Sequence, residues 1–324
     1  MQDLVTVFGG SGFVGAQVVR ALAKQGWRVR VAVRQPHLAY KMRLLGDVGQ
    51  IEVVQANIRN EASIRRAVEG AHAVVNAVGV LYETGRQKFQ SIHTMGARNV
   101  AAVSKAAGVV TLVQISAIGA DAESGAKYAR TKAMGEDAVR EAFPGAVLIR
   151  PSVIFGPDDH FFNMFAEMAV ISPALPLIGG GEGKLQPVFV GDVAKAVARA
   201  VTDPACAGLT YELGGPRAYS FRELMELLMA EIGRKRFLIP LPFPIAALIG
   251  KVCEILALTP WTPPLTEDQV ALLKSDNVVS GALPGLAELG VEATAVEGIV
   301  PAYLYRFRKG GQYADEVERL TAIA

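Results

Sequence analysis

Only two cysteines occur in the 324 residues, Cys206 and Cys253, and they stand far apart in apolar surroundings. Neither a disulfide framework nor a zinc motif can be built from them. The four histidines, His37, His72, His93 and His160, are scattered singly, so no metal site is expected. Charge is equally sparing: 33 basic residues against 31 acidic ones leave a formal net charge of +2. Without a lysine- or arginine-rich run, the chain lacks the footprint of a nucleic-acid binder. The first strand-like run begins at about Leu4, so neither a signal nor a transit peptide is expected, and a reducing compartment follows.

What is present starts at once. Residues 5–15, VTVFGGSGFVG, pass from an apolar strand through a glycine-rich turn into the helix-like run 16–23. The glycines fit two templates, Gly10-x-Gly12-x-x-Gly15 and Gly9-x-x-Gly12-x-x-Gly15. Both let the backbone turn tightly and approach a pyrophosphate, whose charge settles on free N–H groups at the helix start. Gly9, Ser11, Gly12, Phe13, Val14 and Gly15 are therefore candidate contacts to a dinucleotide.

The second strand ends at Arg34, and no acid occurs between Gly9 and Asp47. An NAD site usually places an Asp or Glu near here, on the adenosine ribose. A carboxylate would repel a 2′-phosphate, whereas a guanidinium grips one through paired, charge-assisted hydrogen bonds. NADPH (NADP) is the expected cofactor, with Ser11, Lys41 or Arg43 as possible helpers to Arg34.

Strand-like runs at 4–8, 29–33, 51–54, 73–78, 110–115 and 146–149 alternate with helix-like segments that include 64–68, 87–107 and 127–142. Apolar strands separated by helices predict an α/β Rossmann fold, a doubly wound parallel sheet. Its boundaries are expected at 1–155 for the NADP-binding domain. A smaller mixed or helical lobe follows at 156–324, with some segments returning to the sheet.

In such a sheet the ligand lies at the carboxyl ends of the strands. Asn57 and Ile58 follow the third strand, with Asn57 placed to meet adenine. Ala77, Val78 and Gly79 follow the fourth, small enough for the cofactor to lie against the backbone. Ser116 ends the fifth, and Tyr128-Ala-Arg-Thr-Lys132 opens the next helix. Residues four apart share a helix face, so Tyr128 and Lys132 stand side by side. A tyrosine ionises near ~10, so acid–base work near neutrality needs its anion stabilised by about 4 kcal/mol. Lys132 is expected to supply part of that and to reach the nicotinamide ribose, while Ser116 polarises a substrate carbonyl.

These motifs, with Arg150-Pro151-Ser-Val-Ile-Phe-Gly156-Pro157 and Val190-Gly-Asp192-Val-Ala194, resemble the extended or atypical short-chain dehydrogenase/reductase superfamily, which includes the NAD-dependent epimerases and dehydratases. There the Arg-Pro stretch crosses from the sixth strand into the second lobe, which adds Pro151 to the cofactor contacts. Asp192 reads as a structural cap on the helix it opens.

Further segments are similar, in order and over nearly the whole chain, to the NADPH-binding accessory subunits of respiratory complex I, the NADH:ubiquinone oxidoreductase. They are Leu45-Gly-Asp-Val-Gly-Gln50, Ser63-Ile-Arg-Arg66, Asn76-Ala-Val-Gly79, Arg140-Glu-Ala-Phe-Pro144, Leu238-Ile-Pro-Leu-Pro-Phe-Pro244 and Leu283-Pro-Gly-Leu-Ala-Glu-Leu-Gly290. The resemblance implies a tightly held NADPH with a structural or regulatory role. It also implies hydrophilic-arm subunits as partners and a peripheral place near the quinone-entry region. Lacking a presequence, the chain reads as a bacterial member on the cytoplasmic side of the inner membrane. The alternative is a free NADP-dependent reductase, dehydrogenase or epimerase-like enzyme using Tyr128, Lys132 and Ser116.

The run 237–258 is strongly apolar but cut by Pro240, Pro242 and Pro244, and what remains is too short to span a bilayer. It reads either as a buried lobe helix or as a surface for a membrane or partner, with Trp261 suited to an interface. The tail 303–309 mixes aromatic and basic residues, which fits an anionic lipid, a partner or one amphipathic helix face.

Overall fold

Short β-branched runs form the strands: β1 is Leu4–Phe8, β2 Arg28–Val33, β3 Ile51–Gln55, β4 Ala73–Asn76, β5 Thr111–Ile115 and β6 Val147–Pro151. In the computed structural model, which describes residues 3–254 and 263–313, these six and the strand Thr210–Leu213 make one parallel sheet. Its order is Thr210–Leu213, β6, β5, β4, β1, β2, β3, with every pairing parallel. The strand order reverses between β1 and β4, which opens a crevice at their carboxyl ends. The fold is Rossmann-like.

Both faces are covered, which is why the strands are apolar on both sides. On one face lie α1 (Phe13–Lys24) and α6 (Val190–Thr202), packing Val18, Val19 and Leu22 with Val193 and Val197. On the other lie α2 (Glu61–Val68), α3 (Met95–Ala106) and α4 (Lys127–Ala142), burying Ile64, Val100 and Val139. The expected helix at 87–107 begins later and differently, as a π-helical turn Gln90–Thr94 before α3. Gly135 of α4 packs against this turn. A Cβ there would sit 2.1 Å from the His93 carbonyl oxygen, so the two backbones touch.

The second lobe has its own core, where Phe155, Phe162, Phe165 and Phe221 meet edge to face between α5 (Phe162–Ile171) and α7 (Phe221–Glu231). The proline-cut apolar run becomes a strand, Phe237–Leu241, parallel to Ala174–Ile178, and then α8 (Phe243–Cys253). Helix α9 (Glu267–Leu272) packs on α8 through Val270 and Ala246. Residues 255–262, with Trp261, lie outside the described residues. Among the described residues, no helix is long and apolar enough to cross a membrane.

Two expectations for this lobe are refined. Asp192 is structural, but it sits inside α6 and binds elsewhere: its carboxylate accepts the Thr294 N–H at 2.8 Å and the Lys195 ammonium at 2.9 Å. The tail is stitched to its own lobe. Tyr303 donates to Asp159, Arg306 to Asn163 and Arg308 to the Glu231 carbonyl.

Candidate dinucleotide-binding site

The glycine turn is wound on itself. Gly9 takes φ +74°, and its carbonyl oxygen accepts the Gly12 N–H at 3.0 Å. A Cβ at Gly15 would lie 2.2 Å from that same oxygen, so no larger residue fits. These contacts link Gly9, Gly12 and Gly15, which selects the second of the two glycine templates. Gly12 then caps α1 with no side-chain acceptor, leaving the first-turn N–H groups of Phe13 and Val14 open to an anion. The chain leaving β4 crosses directly over this turn: a Cβ on Gly9 would meet Ala77 and Val78 at 3.1 and 3.2 Å.

Beyond β2 and β3 a pocket of roughly 310 Å³ is lined by Arg34, Gln55, Ala56, Asn57, Asn60, Ser63 and Arg66. Arg34 is exposed and donates to the Gln87 side chain at 2.7 Å. Arg66, in the last turn of α2, brings a second guanidinium to the same space. The lining residues include no carboxylate. Asn57 points here with its Oδ1 held by the Arg59 N–H, whereas the Ile58 side chain turns into the core against α3. Lys41 and Arg43 do not line the pocket, and Arg43 stacks on Tyr40 instead.

At the other end, β5 delivers Ser116 and α4 delivers Tyr128 and Lys132. Ser116 Oγ is buried and has no hydrogen-bond partner among the described residues. Lys132, 6% exposed, reaches the Ile115 carbonyl at 3.3 Å and passes 5.7 Å from the Tyr128 ring centre. Pro151 ends β6 beneath this corner, its carbonyl accepting the Ile118 N–H. The ionisation behaviour departs from the simple Tyr–Lys picture. Tyr128 is pushed up to about 12, by burial first and then by the nearby charge of Asp268. Lys132 is pulled down to about 8 by burial, with Glu136 opposing.

His93 is the residue that sequence reasoning passed over. Its ring stacks on Phe89 and meets the Tyr128 ring edge-on at 5.2 Å. Nε2 accepts the Val80 N–H at 3.2 Å, so the proton sits on Nδ1 and points to Thr131 Oγ1, also at 3.2 Å. Thr131 in turn donates to the Tyr128 carbonyl. Burial, and next the Lys132 charge, hold His93 down to about 2, so it is a neutral strut between the post-β4 chain and α4. A lone histidine carries no local signal of this.

The profile of the NAD dependent epimerase/dehydratase family matches residues 5–214. The chain belongs to that family. It is 35% identical over 317 residues to "NADH dehydrogenase [ubiquinone] 1 alpha subcomplex subunit 9, mitochondrial" of Mus musculus, covering 97% of this chain and 83% of the mouse protein. The protein of the same name from Arabidopsis thaliana is 34% identical over 316 residues, 95% of this chain and 79% of the plant protein. Among solved structures, the NADPH-dependent quinone oxidoreductase of Escherichia coli complexed with NADPH superposes with a TM-score of 0.73 at 22% identity. It covers 93% of this chain and 99% of that one. At that identity the likeness is one of fold.

The family's nucleotide suits the residues in place. The α1 N-terminus is uncapped behind a turn that excludes side chains, and the buried Ser116 hydroxyl lacks an acceptor or donor. A Cβ at Gly79 would come within 3.7 Å of Lys132 Nζ and 3.9 Å of His93 Nε2, so this glycine keeps the space before both open.

Proposed function

We propose that this chain is a nucleotide-bearing accessory subunit of the respiratory NADH:ubiquinone oxidoreductase, in which NADPH serves mainly as a structural or regulatory group. One observation carries the reading. The similarity to the complex I subunits runs through 317 residues, far past the family profile's end at residue 214. The second lobe, where enzymes of a general reductase fold differ most, is shared as well.

The NADPH preference is supported by Arg34 and Arg66, two guanidiniums around one pocket with no lining carboxylate. A 2′-phosphate between them would accept charge-assisted bonds from both, and Asn57 would meet the adenine. The open N–H groups of Phe13 and Val14 would take the pyrophosphate, and Lys132 the nicotinamide ribose. A structural role is supported by the other end. With Tyr128 held up at about 12 and His93 neutral, neither ring is poised to exchange a proton near neutrality. A ligand bound to the native state alone stabilises it by about 4 kcal/mol at a thousandfold excess over Kd, with no turnover required.

Docking falls to the second lobe. Phe237 and Ile239 of the strand and Ile245, Leu248, Ile249 and Val252 of α8 are exposed together. A soluble chain rarely leaves such a patch uncovered. Hydrophilic-arm subunits near the membrane surface are the proposed cover, with the exposed Lys235, Lys251 and Lys274 of the same lobe suited to anionic headgroups. The chain would thus be peripheral, on the face equivalent to the mitochondrial matrix side, which in a bacterium is cytoplasmic.

Isolation of the complex from the source organism in mild detergent tests this. The chain should be recovered in stoichiometric amount, and its absence from intact, active complex would refute the assignment. A second reading is favoured by the assembled Ser116, Tyr128 and Lys132: a free NADP-dependent reductase. Bound there, the nicotinamide would supply the hydride. Tyr128 would then give the proton from its hydroxyl and Ser116 would orient the carbonyl. Loss of turnover in Tyr128→Phe with nucleotide binding intact would establish that reading.

A further inference from the structure

Helix α4 presents Tyr128 and Lys132, yet its own N-cap residue, Ala126, has no side-chain acceptor to offer. The first N–H groups of a helix need one. They find it 140 residues further along the chain. Asp268 accepts the Lys127 N–H through Oδ1 at 2.6 Å and the Tyr128 N–H through Oδ2 at 3.0 Å.

Asp268 is itself held from the far lobe. Helix α9 opens with a capping box in which Thr266 and Gln269 bond each other's backbone N–H groups, and Thr266 is buried. Helix α8 bears directly on this turn. A Cβ at Gly250 would lie 2.7 Å from both the Glu267 nitrogen and the Thr266 carbonyl carbon, so the two backbones are in contact. Glu254, next after α8, accepts the Glu267 N–H at 3.0 Å. The outer side of α8 is the apolar face of Leu248 and Val252. A contiguous set of contacts therefore runs from that face through Gly250, Glu267 and Asp268 to the start of α4.

We propose that Asp268 is a positioning residue: it fixes the helix that carries Tyr128 and Lys132 and couples the outer face of α8 to the nicotinamide end of the cleft. This rests on reading the cleft as a dinucleotide site. The Tyr128 ring faces Phe89 and His93 from the turn before α3, Lys132 from its own helix and Asp268 from α9. Asp268 is the carboxylate in that set, so its charge is felt in the ionisation of the phenol. Pressure on α8, whether from a docked partner or from an added atom at Gly250, shifts the cap and tilts both side chains.

The test compares Asp268→Ala, Asp268→Asn and Gly250→Ala in the full chain. One readout is NADPH affinity by calorimetry. The other is the pH titration of the ring-labelled Tyr128 resonance, identified by its loss in Tyr128→Phe. Asp268→Ala should weaken NADPH binding by about fivefold, the usual size of a lost cap. Asp268→Asn, which still offers an acceptor oxygen, should recover most of that affinity. In both, Tyr128 should titrate at lower pH than in the parent, a change that a purely structural cap does not produce. Gly250→Ala should weaken binding too, and the Gly250→Ala/Asp268→Ala pair should be no weaker than Asp268→Ala alone, because both act through one contact. Unchanged affinity and titration in Asp268→Ala would overturn the positioning role, and additive losses in the pair would overturn the coupling. If the parent chain binds no dinucleotide, the site reading fails by itself. Tyr128 titration and amide exchange at Lys127 and Tyr128 then still decide Asp268: unmoved, they overturn its role; a lower titration and faster exchange uphold it.

Discussion

The two ends of the cleft are built on opposite electrostatic principles. At the end proposed for the adenine, Arg34 and Arg66 stand exposed over an open pocket. At the end proposed for the nicotinamide, Ser116, Lys132 and His93 are buried and Tyr128 meets two rings, with His93, Tyr128 and Lys132 each pushed towards the uncharged form. Solvated guanidiniums can grip a dianion and set both affinity and selectivity. Buried groups whose charge is disfavoured add shape and a few directed hydrogen bonds. One end is suited to hold, the other to be filled.

Gly15→Val should break both ends at once, because its side chain would enter the space of the Gly9 carbonyl oxygen, 2.2 Å from Cβ. NADPH binding should fall below detection by calorimetry, with a stability loss of several kcal/mol in denaturant titrations. Arg34→Ala strikes the holding end alone. NADPH affinity should drop by about 10- to 100-fold, the range for one charge-assisted pair, while NADH affinity stays put. Equal losses for both nucleotides would show that the guanidinium does not read a 2′-phosphate. Arg66→Ala should act in the same direction, less strongly.

Lys132→Met sharpens the contrast from the other side. Lys132 is pulled down from its ordinary value to about 8 on folding. A lowered value means that its favourable contribution is complete only above its unfolded pKa near ~10.5 and is lost as pH falls through about 8. At neutral pH the buried ammonium is therefore a cost. Removing it should stabilise the nucleotide-free protein by about 2 kcal/mol at pH 7 while weakening NADPH binding. A variant that is both less stable and unaltered in affinity would contradict the account. The smallest intrinsic effect belongs to Leu248→Asp on the exposed face of α8. Its own unfolding should move by no more than ~0.5 kcal/mol, yet recovery with the respiratory complex should fail.

The sheet was largely legible from the sequence, because each of β1 to β6 is a short apolar run set off by glycines or polar turns. The same holds for α4, whose residues 127–142 coincide with the expected span. The glycine turn and the Tyr128–Lys132 pair are local patterns too. What escaped is what folding brings together from afar. Arg66 meets Arg34 only once α2 lies beside β3, and His93 enters the corner through a π-helical turn packed closely on Gly135. Asp268 caps a helix 140 residues away, with no signal at either position. The apolar run after Phe237 posed a different problem. Its pattern suits a core helix and a docking face equally, and the exposure of Ile245, Leu248 and Val252 shows that it is not a wholly buried helix.

The central claim, that the chain keeps a 2′-phosphorylated dinucleotide as a resident group, is tested most directly by its release. Protein purified gently, without added nucleotide, is denatured and the supernatant resolved by chromatography and mass spectrometry. About one equivalent of NADPH or NADP per chain is the expected result. A preparation that yields none, or yields NAD(H) in its place, would contradict it.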